Sequence, residues 1–440
     1  MCHLIETLDI DFFHVWDVMG DSSSIAQPVR PKVLALGPQN VFPPVDGGKE
    51  GIYGALAALA LHADVTYAFP NSGECLVDGY GQIGVTAVPY PYDPEERPFS
   101  ILVATLVGKP YKFEKYSCDA AVRALCAALP TTSFTAIVCH HAHTFGLAHR
   151  FALLRELKVP IVVREHNIEY ALVESYRDSL RGMKRIAASL FAWLTRREEL
   201  KIWRKAAAVA FLSDQDIRTA KAAIGSDFSR FFLAREGIPI PPKRLPRHPL
   251  EQAPLLILLN PRASQSVVSL KIFMHQYWIP LRKQRLINNE ILHVTGVTQE
   301  QLAGLLELDV EMMSNSGIQA LGFLPSLKST LEGALALVSP TFVGGGIRKK
   351  VLEAMAHQLP VIATELDISC CDYFKLKENI LSMGDPESFA NTVRRLRTDV
   401  SYWLNLSSSA RDTVDEFANW ENYGKEMFRI IDDLTHTKRH

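Results

Sequence analysis

The chain is short of charge imbalance, of paired cysteines and of long apolar runs, and each shortage removes a class of function. Its 47 Lys and Arg nearly balance 48 Asp and Glu, for a formal net charge of −1. No global field draws in nucleic acid or acidic polymers, so any electrostatic function is regional and no nucleic-acid partner is expected. The seven cysteines are scattered apart from the adjacent Cys370 and Cys371, and no CxxC pair occurs. That sets aside a disulfide scaffold or a zinc ribbon and points to reduced thiols in a cytoplasmic protein. No apolar run reaches the roughly eighteen residues that span a bilayer. The first thirty residues have neither the basic start nor the unbroken apolar stretch of a signal peptide.

A chain of 440 residues with 48% hydrophobic and 22% charged residues is too long for one ordinary core. Two globular domains are expected. Regular patterning begins at Pro31, so residues 1–30 read as a loose extension. Lys32 to Gly37 reads as a buried strand, followed by a Pro/Gly-rich loop, a small-residue helix from Gly51 to His62 and a strand near Val65 to Phe69. Further strands are expected at Ala136 to Cys139, Ile161 to Val163 and Ala208 to Leu212, with one long basic helical segment from Leu172 to about Arg204. The stretch from Gly237 to Pro249 is Pro-rich and reads as a linker. Alternation restarts with strands at Leu255 to Leu259, Glu290 to Val294 and Ile318 to Leu321, and helices at Val268 to Leu286 and Gln299 to Leu306. Trp420 to Leu434 has the spacing of an amphipathic helix. Strands alternating with helices indicate an α/β class with parallel sheets.

The most informative segment is PTFVGGGIRKKVLEAMAHQLPVIAT, residues 340–364. A strand ending at Ser339 runs into Gly344, Gly345 and Gly346, then a helix carries Arg348, Lys350 and Glu353, then a second strand begins at Val361. Glycines between a strand and a helix let backbone approach a ligand, and the amides at a helix start favour negative charge. This corner is an anion seat, with Arg348 and Lys350 either as phosphate contacts or as a solvated helix face.

Taken in order with LGFLPSL at 321–327, HNIEY at 166–170, LSDQD at 212–216 and the Gly47-Gly48 loop, this segment resembles the family 4 retaining glycosyltransferases of the GT-B fold, the glycosyl transferases group 1. The resemblance runs from about residue 31 to 430. It implies two Rossmann-like domains facing across a cleft: residues 31–236 for the acceptor, 237–418 for a nucleotide-diphosphate sugar, and 419–440 as a helix crossing back to the first domain. Arg348 and Lys350 would meet the diphosphate charge that develops as the anomeric bond breaks. Glu353 would receive the ribose hydroxyls, and Arg262 is a further phosphate candidate. In the first domain Gly47, Gly48, His141, His143, His166 and Asn167 would line the cleft. The family's usual second Glu, eight positions before Glu353, is here Gly345, so the chain matches the glycine-rich pattern GxGxRxKxxEA instead.

No cofactor or metal is expected, and Asp9/Asp11 and Asp214/Asp216 are read as DxD look-alikes only. The resemblance implies a retaining, metal-independent transferase acting on a glycan or lipid-linked acceptor, in surface polysaccharide synthesis. The alternative is a non-catalytic nucleotide-sugar binder or partner subunit. The segment from Arg177 to Lys205, with nine Lys and Arg and interleaved Leu, Phe and Trp, fits either peripheral contact with anionic lipid at the inner membrane face or a solvated face packed on the domain.

Overall fold

The computed structural model describes residues 30–94, 104, 108–130, 133–178, 180–225, 228–246, 248, 252–343 and 348–436. Gly344, Gly345 and Gly346, and residues 1–29, lie outside the described residues.

Two parallel sheets form the two halves. The first contains β1 (Lys32–Leu36), β2 (Asp64–Pro70), β3 (Val85–Tyr90), β4 (Ala136–His140), β5 (Ile161–Glu165), β6 (Ala208–Phe211) and β7 (Phe231–Leu233). Their spatial order is β3-β2-β1-β4-β5-β6-β7. The second contains β8 (Leu255–Leu258), β9 (Leu292–Thr295), β10 (Ile318–Gly322), β11 (Ala336–Ser339), β12 (Val361–Ala363) and β13 (Leu381–Ser382), ordered β10-β9-β8-β11-β12-β13. Central strands such as AIVCH and LLIL are buried at every residue. This follows from helices covering both faces of a parallel sheet, which leaves no polar side to alternate with. In each sheet the strand order reverses beside one strand, at β1/β4 and at β8/β11. Open α/β sheets bind ligands outside the carboxyl ends of the strands at such points.

The halves are joined by two passes of backbone running side by side, since the Ile238 amide donates to the Ala418 carbonyl at 3.0 Å. A side chain at Gly237 would place its Cβ 2.4 Å from the Trp420 amide nitrogen, so the crossing needs a glycine there. Beyond it, helix Trp420–His436 returns to the first half. Its Tyr423, Met427, Ile430 and Ile431 share a buried cluster with Val33, Ala35, Ile52 and Leu56. Burial of such side chains stabilises by about 1.5–3 kcal/mol each. Two glycines set how closely this helix packs. A Cβ at Gly424 would lie 2.5 Å from the Ala58 carbonyl oxygen, and one at Gly54 would lie 2.3 Å from the Trp420 indole. Among the described residues no helix is long and apolar enough to cross a membrane.

Several local expectations are corrected. The first helix starts at Gly47 rather than Gly51, because the Asp46 side chain caps it by accepting from the Lys49 amide. Gly47 and Gly48 are therefore its first turn, not a loop. The basic segment is two helices, Glu169–Asp178 and Gly182–Lys205. Gly182, at the start of the second helix, has φ of 59°, a left-handed conformation that a continuing helix cannot hold. The expected helix from Val268 to Leu286 starts at Ser264 and contains a π turn at Met274–Trp278 just before Pro280, whose missing N–H breaks the ordinary ladder.

Candidate functional site

The helix Lys349–Ala356 follows β11 at the switch point of the second sheet. Val351, Leu352, Ala354, Met355 and Ala356 are buried, which fixes the helix against the sheet and leaves Arg348, Lys349, Lys350 and Glu353 only partly buried. Cations at a helix start oppose the macrodipole, so each needs another partner. Arg348 Nε donates to Asp367, a fully buried carboxylate that also accepts from Ser339 Oγ at 2.6 Å. Burial raises the Asp367 pKa even with Arg348 beside it. Lys350 Nζ donates to the Leu258 carbonyl at the end of β8, 2.7 Å away, and burial lowers its pKa.

Lys349 reaches the other domain. Its Nζ donates to the Gly47 carbonyl and lies 3.2 Å from Glu236 Oε1. Glu236 is buried, and the fully buried Arg164 at the end of β5 sits 3.3 Å from the same oxygen. Arg164 also donates to the His166 ring and lies over the Tyr423 ring, 5.2 Å from its centre. Gly51 makes room for this group: a Cβ there would lie 2.0 Å from Glu236 Oε1 and 2.8 Å from Lys349 Nζ.

Glu353 is half-buried on the same helix. Its pKa is pushed up to about 7, first by burial and then by Glu50 on the facing helix, with Lys349 opposing. Glu50 is itself raised by burial. Two carboxylates, one from each domain, thus share a poorly solvated region.

In the first domain the histidines gather at the carboxyl end of β4. His141 stacks on His166 at 4.0 Å and on His143 at 4.9 Å between ring centres. Burial is the leading cause that lowers all three pKa values, that of His141 to about 3, so the rings are neutral. Asn167 is half-buried beside His166. Arg262 is exposed in the turn after β8. Asp214 and Asp216 begin a helix instead: Asp214 pairs with Arg235 at 3.1 Å, and Asp216 accepts from Ser213 Oγ at 2.7 Å. Beside them Arg218 pairs with Asp372 at 2.6 Å, a second tie between the domains.

Glu236, Arg164, Asp367 and Glu50 were not picked out in the sequence. Arg164 and Glu165 at the end of the apolar run IVVRE were the available signal, because a charge on a buried strand needs a partner. Glu165 accepts from Trp203 Nε1 at 2.7 Å, and burial pushes its pKa up to about 8. The neighbouring Glu199 accepts from the amides of Glu169 and Tyr170 at 2.8 and 3.0 Å, capping their helix.

The fold agrees with known proteins. Residues 265–399 match the family model described as glycosyl transferases group 1. The chain has the GT-B fold. Sucrose-phosphate synthase of Thermosynechococcus elongatus superposes with a TM-score of 0.66 at 15% identity, over 93% of this chain and 100% of that one. HepE of Anabaena, solved in complex with UDP and glucose, gives 0.59 at 11% identity, over 92% and 100%. The lipopolysaccharide outer core galactosyltransferase WaaB in its apo form gives 0.56 at 13% identity, over 92% and 99%. No curated protein matches the sequence.

The Glu353 environment predicts a pH dependence. Unfolded, the carboxyl titrates near 4.5; folded, it holds its proton to about 7. Between those values the folded state binds the extra proton, so this contribution to stability is intact below 4.5 and is lost as pH rises to about 7, a fall of about 3 kcal/mol. Glu353→Gln removes it. Urea unfolding should find the variant more stable than the parent above pH of about 7 and equal to it near pH of about 4; identical pH profiles would contradict this environment.

Proposed function

We propose that this chain is a glycosyltransferase that moves a sugar from a nucleoside-diphosphate sugar, UDP-linked in the first instance, to a glycan or lipid-linked acceptor. The observation that carries this reading is the placement of Arg348, Lys350 and Glu353 around the helix start at the second sheet's switch point, with the first domain's own helix start opposite. The group 1 match over 265–399 covers that region, and HepE, of the same fold, is solved with UDP and glucose.

The chemistry follows from charge. As the anomeric C–O bond to the diphosphate breaks, negative charge grows on the leaving oxygen, and fixed donors aimed at it lower the barrier. Backbone amides of Gly344 to Gly346, with Arg348 and Lys350, supply those donors without a metal. Glu353 accepts both ribose hydroxyls, as a carboxylate's two oxygens allow. The acceptor hydroxyl attacks on the face the diphosphate leaves and gives it the proton, so configuration is retained and no enzyme nucleophile is needed. His141, His143, His166 and Asn167 belong to the acceptor side, and a role in surface polysaccharide synthesis suits such an acceptor. A second reading, a nucleotide-sugar binder without turnover, is favoured by one observation: Arg348 and Lys349 are both engaged by carboxylates of the chain itself.

A thermal-shift panel of nucleoside diphosphates in chelator tests the reading. At a hundred times its Kd the matching nucleotide should stabilise the chain by about 2.7 kcal/mol, and Glu353→Ala should abolish the shift together with sugar transfer. Binding without transfer to any acceptor selects the second reading. No shift with any nucleotide overturns both.

The acceptor side also carries a surface suited to anionic lipid, and we infer that the protein docks on the cytoplasmic membrane face there. Met183, Ile186, Leu190 and Trp193 are exposed at helical spacing on Gly182–Lys205. They lie half a turn round from Ala192, Thr195, Glu199 and Ile202, which bury the helix's other face. Arg181, Lys184, Arg185, Arg196 and Arg197 flank the stripe, and no acidic residue occurs from 181 to 197. A second copy would set like charges together; an anionic bilayer attracts each cation by about 1 kcal/mol. Vesicles containing anionic lipid should co-sediment the protein at low salt and release Leu190→Glu/Trp193→Glu. Failure of the parent protein to co-sediment would refute the docking surface.

A further inference from the structure

His141, His143 and Glu169 bring three potential ligand atoms together on the acceptor side. His141 Nδ1 and His143 Nδ1 each lie 3.9 Å from Glu169 Oε1. One ligand atom from each residue falls within 4.8 Å of the others. Both Nδ1 atoms are sealed from solvent and have no hydrogen-bond partner, and His143 as a whole is 4% exposed. A buried polar atom left unpaired costs about 1–3 kcal/mol. Here two such atoms stand on one carboxylate oxygen, just beyond hydrogen-bond reach of it.

Three atoms so spaced enclose a position about 2–2.5 Å from each, against the roughly 2.0–2.2 Å at which zinc holds histidine nitrogen and carboxylate oxygen. Small side-chain shifts close that gap. Two imidazoles and one carboxylate are a donor set for Zn2+ or a similar transition metal, whereas Mg2+ and Ca2+ call for shells of oxygen. Three protein ligands leave a fourth position open.

The backbone and the ring stacking are in place before any ion arrives. His141 has φ of 76°, a conformation that L side chains rarely adopt. Its ring is held between those of His143 and His166, and Tyr116 stacks on the far side of the cluster, 4.9 Å from the His143 ring centre. Glu169 sits in the first turn of its helix, with its amide donated to Glu199. We propose that His141, His143 and Glu169 form a binding site for one Zn2+-class cation on the first domain.

One group in the site competes with the ion. Lys112 Nζ donates to both Glu169 oxygens, at 2.9 and 2.8 Å, from a side chain that is 42% exposed. Its ammonium neutralises the carboxylate when no metal is bound, and its exposed stem lets it swing into solvent. Metal and Lys112 therefore exclude each other in part, which makes Lys112 a readout that leaves the buried histidines untouched.

The test is titration of the reduced, chelator-stripped full chain with Co2+ and Zn2+. One ion per chain is expected, with the visible d–d band of a nitrogen and oxygen site and no thiolate charge-transfer band from the seven cysteines. Glu169→Gln and His143→Ala should weaken binding at least about tenfold, since loss of even an outer partner costs that much. Lys112→Ala should tighten it several-fold, and this exposed change guards against a misfolded histidine variant. A thiolate band, affinity unchanged in Glu169→Gln, or affinity unmoved by Lys112→Ala would each overturn the site. The result does not depend on nucleotide binding, so either proposal can fail alone.

Discussion

Glu236 is the point on which the two domains are pinned. It is a buried carboxylate between a cation of the first sheet, Arg164, and a cation of the second domain's helix, Lys349. Charges taken out of water cost several kcal/mol each unless paired and hydrogen-bonded, so none of the three groups tolerates loss of its partner. The rest of the cleft follows. Gly51 is needed because any side chain would strike this group, and the closing helix is placed so that Tyr423 lies against Arg164. With Lys349 committed to the first domain, the helical turn of about 100° per residue sends Arg348 and Lys350 elsewhere. Arg348 goes to Asp367 and Lys350 to the end of β8. The helix start is thereby fixed in position and in rotation.

The parts of the fold legible in the sequence were those whose burial shows as an unbroken apolar run. β1, β4, β5, β6, β8 and β11 are such strands, and the amphipathic Trp420 helix was readable for the same reason. What escaped was structure decided by neighbours. β3, reading VTAVPY, is an edge strand that tolerates Pro89 because only one side must pair. β7 and β13 have three and two residues, too short for any period to register. The break at Gly182 turns on one residue in an otherwise helix-forming segment, and a single glycine reads more often as a tolerated defect.

The candidate site divides in the same way. Arg348, Lys350 and Glu353 could be found because a strand, glycines and a helix start fall together in one segment. Glu236, Asp367 and Glu50 could not, since their partners lie far off in sequence and only the fold unites them. Lys349 looked like one more member of a basic run, yet it reaches across to Gly47 and Glu236 of the first domain. The histidines were visible as a cluster at a strand end. Glu169, which completes them, lies within the HNIEY segment on the next element beyond β5, where only His166 and Asn167 were read as site residues.

The proposed function requires a nucleotide lying between the domains against the helix whose N-cap is Arg348. The most direct measurement is an experimental structure with UDP bound. The account predicts the diphosphate at the segment joining β11 to its helix, within hydrogen-bond reach of Arg348 or Lys350, and both ribose hydroxyls on Glu353. A nucleotide bound outside the cleft, or in it with the ribose turned away from Glu353, would contradict the account.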